Sequence, residues 1–332
     1  PNCMGNKELM TGDNATEIMK IYTAEAYAHG GYVQVPYQAP YVSGLYGDDS
    51  DMVSTDMEVL YLYYDYIHNH PELFMRLWPM ADVGVLYSYA SIRQYTGGGE
   101  DDFFGCAQTL IEHNIPCRVV ATGDGVLIHK QLTDQDLYGL KLLILPSIIV
   151  MSENDIGVLQ RFVEKGGQIM ELNDTAWVDE SGTRLDTVLG MSPRYMHFLQ
   201  TVHWKEEDLQ MAEPGEVNAF LDAVAEQAAP AFQIDNKEIL GTIYFSTELN
   251  GYVLHLVNYA FDETHDKVAA RQEVNVRIKN DTPFTTEEMS VLYGTPEKGD
   301  LEPVAHTVQD GMICVTLPAI DAWGTIVIRE GG

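Results

Sequence analysis

Basic residues are scarce in this chain. Lys and Arg number 19 against 50 Asp and Glu, giving a net charge of −31. A field of that sign repels phosphate backbones and anionic lipid, which excludes nucleic acid and membrane surfaces as partners and leaves uncharged ligands compatible. Long apolar runs are also lacking, and none approaches the ~20 residues that a membrane helix needs. Cysteine occurs at Cys3, Cys106, Cys117 and Cys314, never as a CxxC pair. That spacing argues against a zinc ribbon, a dithiol redox site and a disulfide scaffold, and favours a reducing, cytoplasmic setting. No complete GxGxxG fingerprint, internal repeat or low-complexity tract is found. What remains is ordinary globular material, 45% hydrophobic and 21% charged over 332 residues, enough for two or three domains. The sequence opens at Pro1 and is expected to be the rear part of a longer chain, whose front would carry any leader.

The patterning changes twice along the chain. In residues 1–80, Asp13 or Asn14 can cap a helix that runs to about His29, where Gly30-Gly31 stops it. Ile18, Ile21, Tyr22, Glu25 and Ala26 lie at helical spacing on its expected inner stripe. Tyr32–Tyr37 reads as a short strand, and Asp56 to about His70 as a tyrosine-rich helix. One α/β step and part of another cannot close a barrel alone. In residues 81–235, the apolar runs at 83–87, 116–120, 141–146 and 168–172 alternate with helices at 101–113 and 152–165, the latter capped by Ser152 and stopped by Gly166-Gly167. That alternation specifies a doubly wound α/β domain. Beyond a helix at 216–227, residues 236–332 hold six short strand patterns separated by Gly, Pro, Asn and Asp, as in an antiparallel β-sandwich.

Few residues offer chemistry. Gly97–Gly99 stand where nucleotide phosphates bind in α/β folds, but Glu100, Asp101 and Asp102 follow at the helix N-terminus and would repel a phosphate. His68 and His70 point to different faces of their helix, and Asp48, Asp49 and Asp51 lack the Gly and Glu of a calcium loop. No metal site and no cofactor is expected. The α/β domain resembles class I glutamine amidotransferases in outline. Those enzymes need a cysteine on the sharp turn after a strand, with a downstream histidine. The turn after residues 168–172 offers Asn173, Asp174 and Thr175, so glutaminase chemistry is not expected. Hydrolysis of a glycosidic bond requires two carboxylates, placed in barrel enzymes at strand C-terminal ends. Glu8, ahead of the first helix, is the acid positioned for such a role. Gln34, Tyr37 and Gln38, at the end of the Tyr32–Tyr37 strand, are candidates to bind sugar hydroxyls or stack on a ring.

The string Ala24–Gly31 followed by Tyr32–Pro36 resembles the last helix and strand of barrel glycoside hydrolases allied to family 42 β-galactosidases and the hypothetical glycosyl hydrolases of the same layout. Val83–Tyr87, Phe103–Cys117, Leu142–Pro146 and Phe162–Met170 are similar to their β-galactosidase trimerisation domain. The resemblance implies a flavodoxin-like, amidotransferase-like central domain without the nucleophile, between a TIM-barrel remnant and a C-terminal β-sandwich. It implies a carbohydrate substrate met through the barrel, a homo-oligomer with a trimer favoured, and a catalytic nucleophile at or near Glu8. A stand-alone oligomerisation or carbohydrate-binding module without catalysis is the alternative.

Overall fold

The computed structural model describes residues 16–32, 57–94, 99–172, 178–179, 181–183, 195–198, 214–262, 264–282 and 284–331. The chain divides into two units, one built from Pro1–Met80 with Phe232–Gly332 and the other from Ala81–Ala231. The first unit opens with α1 (Thr16–Ala28), α2 (Met57–Asn69), a 3-10 turn at Pro71–Leu73 and β1 (Leu77–Pro79). The second holds β2 (Val83–Ser88), α3 (Tyr89–Gln94), α4 (Gly99–Glu112), β3 (Cys117–Thr122), β4 (Leu142–Pro146), α5 (Glu153–Glu164), β5 (Gln168–Leu172), β6 (Tyr195–Phe198) and α6 (Pro214–Gln227). The chain then returns to the first unit with β7 (Phe232–Ile234), β8 (Ile239–Ser246), β9 (Gly251–Asn258), β10 (Phe261–Asp262), β11 (Lys267–Val268) and β12 (Arg271–Lys279). It ends with β13 (Met289–Gly294), β14 (Glu302–Pro303), β15 (His306–Gln309), β16 (Met312–Ile320) and β17 (Trp323–Glu330).

In the second unit five strands run parallel in the order β3-β2-β4-β5-β6. Unbroken apolar strands suit a sheet covered on both faces, and all five residues of β4 are buried. Val120, Leu143, Leu145 and Ile169 pack against Val158, Leu159, Phe162 and Val163 of α5 on one side. Val83, Val85, Leu142, Ile144 and Met170 pack against Phe103 and Leu110 of α4 and Phe220 and Val224 of α6 on the other. Each such Leu, Val or Phe removed from water contributes roughly 1.5–3 kcal/mol. Helix α5 begins and ends as its sequence reads: the Ser152 hydroxyl accepts from the Asp155 N–H at 3.0 Å, and Gly166 takes up φ 104° just past the C-cap.

The first unit contains a six-stranded antiparallel sheet, β1-β8-β9-β17-β13-β14, and a four-stranded one, β15-β16-β12-β7. The alternation of each strand splits its residues between two faces. One face of the six-stranded sheet carries Val253, Val257, Leu292, Trp323 and Val327 and is covered by Ile21, Ala24 and Ala28 of α1 and Tyr63 and Tyr66 of α2. The other meets the smaller sheet: the Tyr293 hydroxyl donates to Ala319 O at 2.6 Å. A Cβ on Gly241 would stand 2.6 Å from the Phe232 ring, so that strand needs glycine for the sheets to approach.

The buried stripe of α1 differs from the expected one. Ile21, Ala24 and Ala28 face inward, whereas Tyr22, Glu25 and Ala26 are half-buried. Two small alanines let the helix lie close to the sheet, and that outweighs the bulkier tyrosine. The expected cap, Asp13 or Asn14, lies outside the described residues. The N–H groups of Glu17 and Ile18 instead donate to the Asp266 carboxylate, each at 3.2 Å, from the turn between β10 and β11. Strands β1, β6, β7, β10, β11, β14 and β15 were not foreseen; β1 and β7 pair with β8 and β12.

Under α2 lies a fully buried imidazole. His255 Nε2 bonds Leu73 O at 3.0 Å, Nδ1 lies 3.3 Å from the Thr325 hydroxyl, and the ring stacks on Phe74 at 5.2 Å. Nε2 therefore carries the proton and Nδ1 accepts. Burial pushes its pKa down to about 4, below the ordinary value of about 6.5. Between those values the unfolded chain takes up a proton that the folded chain refuses. Stability is then full above pH ~6.5 and falls as the pH drops toward 4. Urea unfolding of wild type and His255→Gln should show the wild type's advantage shrinking by roughly 2–3 kcal/mol between pH 7.5 and pH 4.5. A difference independent of pH would mean that His255 titrates in the folded chain as it does in the unfolded one.

Candidate functional site

Parallel sheets bind ligands outside the carboxyl ends of their strands, where the order reverses. Here the chain moves outward from β2 to β3 and then crosses back to β4, so the reversal lies between β2 and β4. Four buried polar side chains meet there: Ser88 at the end of β2, Ser91 in α3, Asp102 in the first turn of α4, and Ser147 just after β4. Ser147 sits at φ 46°, a left-handed conformation that favours glycine. Its hydroxyl donates to the Asp102 carboxylate, and its N–H donates to Leu172 O at 3.0 Å. The Ser91 hydroxyl contacts the Ser88 hydroxyl at 3.0 Å and Val150 O at 3.2 Å, and it accepts from the Val150 N–H at 3.0 Å.

Activation of a serine hydroxyl needs a base such as His or Lys within hydrogen-bond reach; the Ser147 hydroxyl donates to the Asp102 carboxylate. The serines are engaged with each other and with the backbone after β4, which fixes the turn. Around them, Asp155 accepts from the Thr122 hydroxyl at 2.8 Å and the Leu132 N–H at 3.0 Å, tying α5 to the end of β3.

The cysteines of this unit are equally unreactive. Cys106 is fully buried, and desolvation raises its thiol far above the usual range; Cys117 is pushed up to about 12 by the same cause. A thiol with such a pKa stays protonated at neutral pH and makes a poor nucleophile. Both belong to the apolar layer under α4.

The sequence-derived candidates Glu8, Gln34, Tyr37 and Gln38 lie outside the described residues, as do Asn173, Asp174 and Thr175 and the Asp48–Asp51 loop. His70 is a structural residue. Its Nε2 bonds Gly299 O at 2.7 Å and its Nδ1 lies 3.3 Å from Glu72, while His68 is exposed. Among the described residues no group of three His, Cys, Asp or Glu is arranged to hold a metal, and no helix is long and apolar enough to cross a membrane. The sequence missed one polar cluster of the first unit. The Tyr63 hydroxyl donates to Glu297 at 3.0 Å, and Lys20 pairs with Glu17 at 2.5 Å and Asp321 at 3.6 Å. Its members are up to some 300 positions apart, and no local signal joins them.

No family model matches the sequence, and no curated protein matches it. Solved structures do resemble the fold. α-L-fucosidase isoenzyme 2 from Paenibacillus thiaminolyticus is 15% identical, with a TM-score of 0.60 over 95% of this chain and 57% of that one. A GH42 β-galactosidase from G. stearothermophilus is 13% identical, with a TM-score of 0.55 over 95% of this chain and 51% of its own. A β-galactosidase from Bacillus circulans sp. alkalophilus is 11% identical, with a TM-score of 0.55 over 95% and 52%. The chain thus spans about half the length of these structures. At such identity the likeness establishes a glycoside-hydrolase-like fold of mixed helix and sheet.

The burial of the thiols gives a direct test. Native protein treated with iodoacetamide at pH 8 should keep Cys106 and Cys117 unmodified in peptide mass spectra, and both should react once urea is added. Rapid native alkylation of either would reveal an accessible thiolate and revive amidotransferase-type chemistry.

Proposed function

We propose that this chain is the C-terminal portion of a glycoside hydrolase of the β-galactosidase kind, in which the α/β unit serves assembly and not glutaminase chemistry. On this reading residues 1–80 are the end of a TIM barrel, residues 81–235 an amidotransferase-like domain of flavodoxin-like topology, and residues 236–332 a β-sandwich. The observation that carries it is the match to glycoside hydrolases along 95% of this chain but only 51–57% of theirs. The strand order β3-β2-β4-β5-β6 and the internally engaged serines at its reversal support a domain of this topology with its catalysis lost. Helix α2 is compatible with the barrel: Tyr63 and Tyr66 pack on the six-stranded sheet, and Tyr61 and Leu62 stay exposed on the other side. A further layer of chain would cover them.

The carbohydrate is met through the barrel, with Glu8 as a catalytic carboxylate and Gln34, Tyr37 and Gln38 binding the sugar. The second carboxylate lies upstream. The enzyme is a homo-oligomer, with a trimer favoured, and works in the cytoplasm, where sparse unpaired cysteines persist. Assayed on nitrophenyl glycosides, the longer polypeptide should hydrolyse substrate, while residues 1–332 alone should not. In the longer polypeptide, Glu8→Gln should lower kcat by at least about two orders of magnitude. Hydrolysis that survives this substitution removes Glu8 from the mechanism. A longer polypeptide inert on every glycoside would leave a non-catalytic assembly or sugar-binding module.

A further inference from the structure

The loop after β3 is built in an unusual way. The Asp124 carboxylate accepts from three successive N–H groups, those of Val126, Leu127 and Ile128, at 3.0, 2.8 and 2.9 Å, and Arg93 holds its other oxygen at 3.1 Å. The loop is closed by Gly123 N–H to Lys130 O at 2.7 Å and Gly125 N–H to Ile128 O at 3.1 Å. A Cβ on Gly123 would overlap Ile128 O, and Gly125 adopts φ 69°. The result is a braced turn that presents three consecutive branched aliphatic residues to solvent: Val126 is 71% exposed, Leu127 61% and Ile128 41%. Val119 on β3 and Tyr138, whose carbonyl accepts from Arg118, are exposed beside it. β3 ends the sheet, with no described strand beyond it.

The charge around this tip departs from the rest of the chain. From His113 to Tyr138 two bases, Arg118 and Lys130, stand beside three acids, and each acid is paired: Asp124 with Arg93, Asp134 with Arg161 and Lys165, and Asp136 with Lys130. Elsewhere acids outnumber bases enough to leave a net charge of −31. Two copies of so acidic a chain repel each other across most of their surfaces, and they can approach closely only where acids are paired. A foreign partner imposes no such condition. Exposed apolar side chains, a braced backbone and local neutrality therefore coincide where self-association is least opposed.

We propose that the Gly123–Lys130 loop, with Val119 and Tyr138 beside it, docks against a second copy of this chain. This rests on the homo-oligomeric reading above and names the surface that would form the contact. Light scattering after size exclusion tests it on residues 1–332. Wild type and the conservative Val126→Leu should be oligomeric. Leu127→Asp, and the uncharged double variant Val126→Ser with Leu127→Ser, should each raise the dissociation constant at least about tenfold. The far-ultraviolet circular dichroism should stay unchanged, because these side chains face solvent within the protomer. An oligomer that resists both variants overturns this surface and leaves the oligomeric reading intact. Dissociation by Leu127→Asp but not by the double serine variant also overturns it, because added charge rather than lost apolar contact would then be the cause. A wild type that stays monomeric overturns both readings and leaves the tip for a foreign partner.

Discussion

The first unit depends on covering one face of its six-stranded sheet. That face bears Val253, Val257, Leu292, Trp323 and Val327, and strands alone would leave it in water. Its cover comes from α1 and α2, some 190 to 300 positions earlier in the sequence. Trp323 forms the centre of the contact, with ring centroids of Phe74, Tyr66, His255 and Tyr63 at 5.4, 5.8, 5.8 and 6.0 Å. Aromatic pairs at these separations add to the burial of their area, and Asp266 fixes the start of α1 from the same C-terminal segment. The early helices and the late strands therefore fold as one body, and the parallel-sheet unit is inserted between them. A truncation that removed α1 would expose the Trp323 face and forfeit the Asp266 cap together.

Much of this was legible in the sequence, and the exceptions share a cause. Strands β2, β4 and β5 and helix α5 follow from unbroken apolar runs, a serine cap and a Gly-Gly stop, all of them local signals. The main strands after residue 238 follow in the same way from alternation. β1 and β7 escaped notice because each is three residues long and is held by partners distant in sequence, β8 and β12. The inner face of α1 differs because spacing alone leaves the phase of the stripe open, and close approach to the sheet selects the small Ala24 and Ala28. The Asp266 cap and the Lys20, Glu17 and Asp321 cluster come from long-range pairing, to which periodicity is blind. At the candidate site, the missing nucleophilic cysteine could be read directly from the sequence, whereas the braced turn at Asp124 required coordinates.

The polar groups at the reversal of the parallel sheet fix the ends of its strands. A catalytic turn keeps its nucleophile free to move and pairs it with a base. Here Ser88 and Ser91 bond each other and the main chain at Val150, and Ser147 bonds Asp102 and Leu172. A buried hydroxyl engaged in this way stabilises the turn, and withdrawing it for chemistry would leave buried partners unsatisfied at a cost of about 1–3 kcal/mol each. These hydrogen bonds hold the strand ends together. Selection for a rigid unit and selection for a reactive one pull these positions in opposite directions, and the hydrogen bonds here follow the first. On the proposed reading this divides the labour within the polypeptide. Bond cleavage falls to carboxylates at barrel strand ends, and the parallel-sheet unit is free to bond its serines internally and to spend its surface on contact with other subunits.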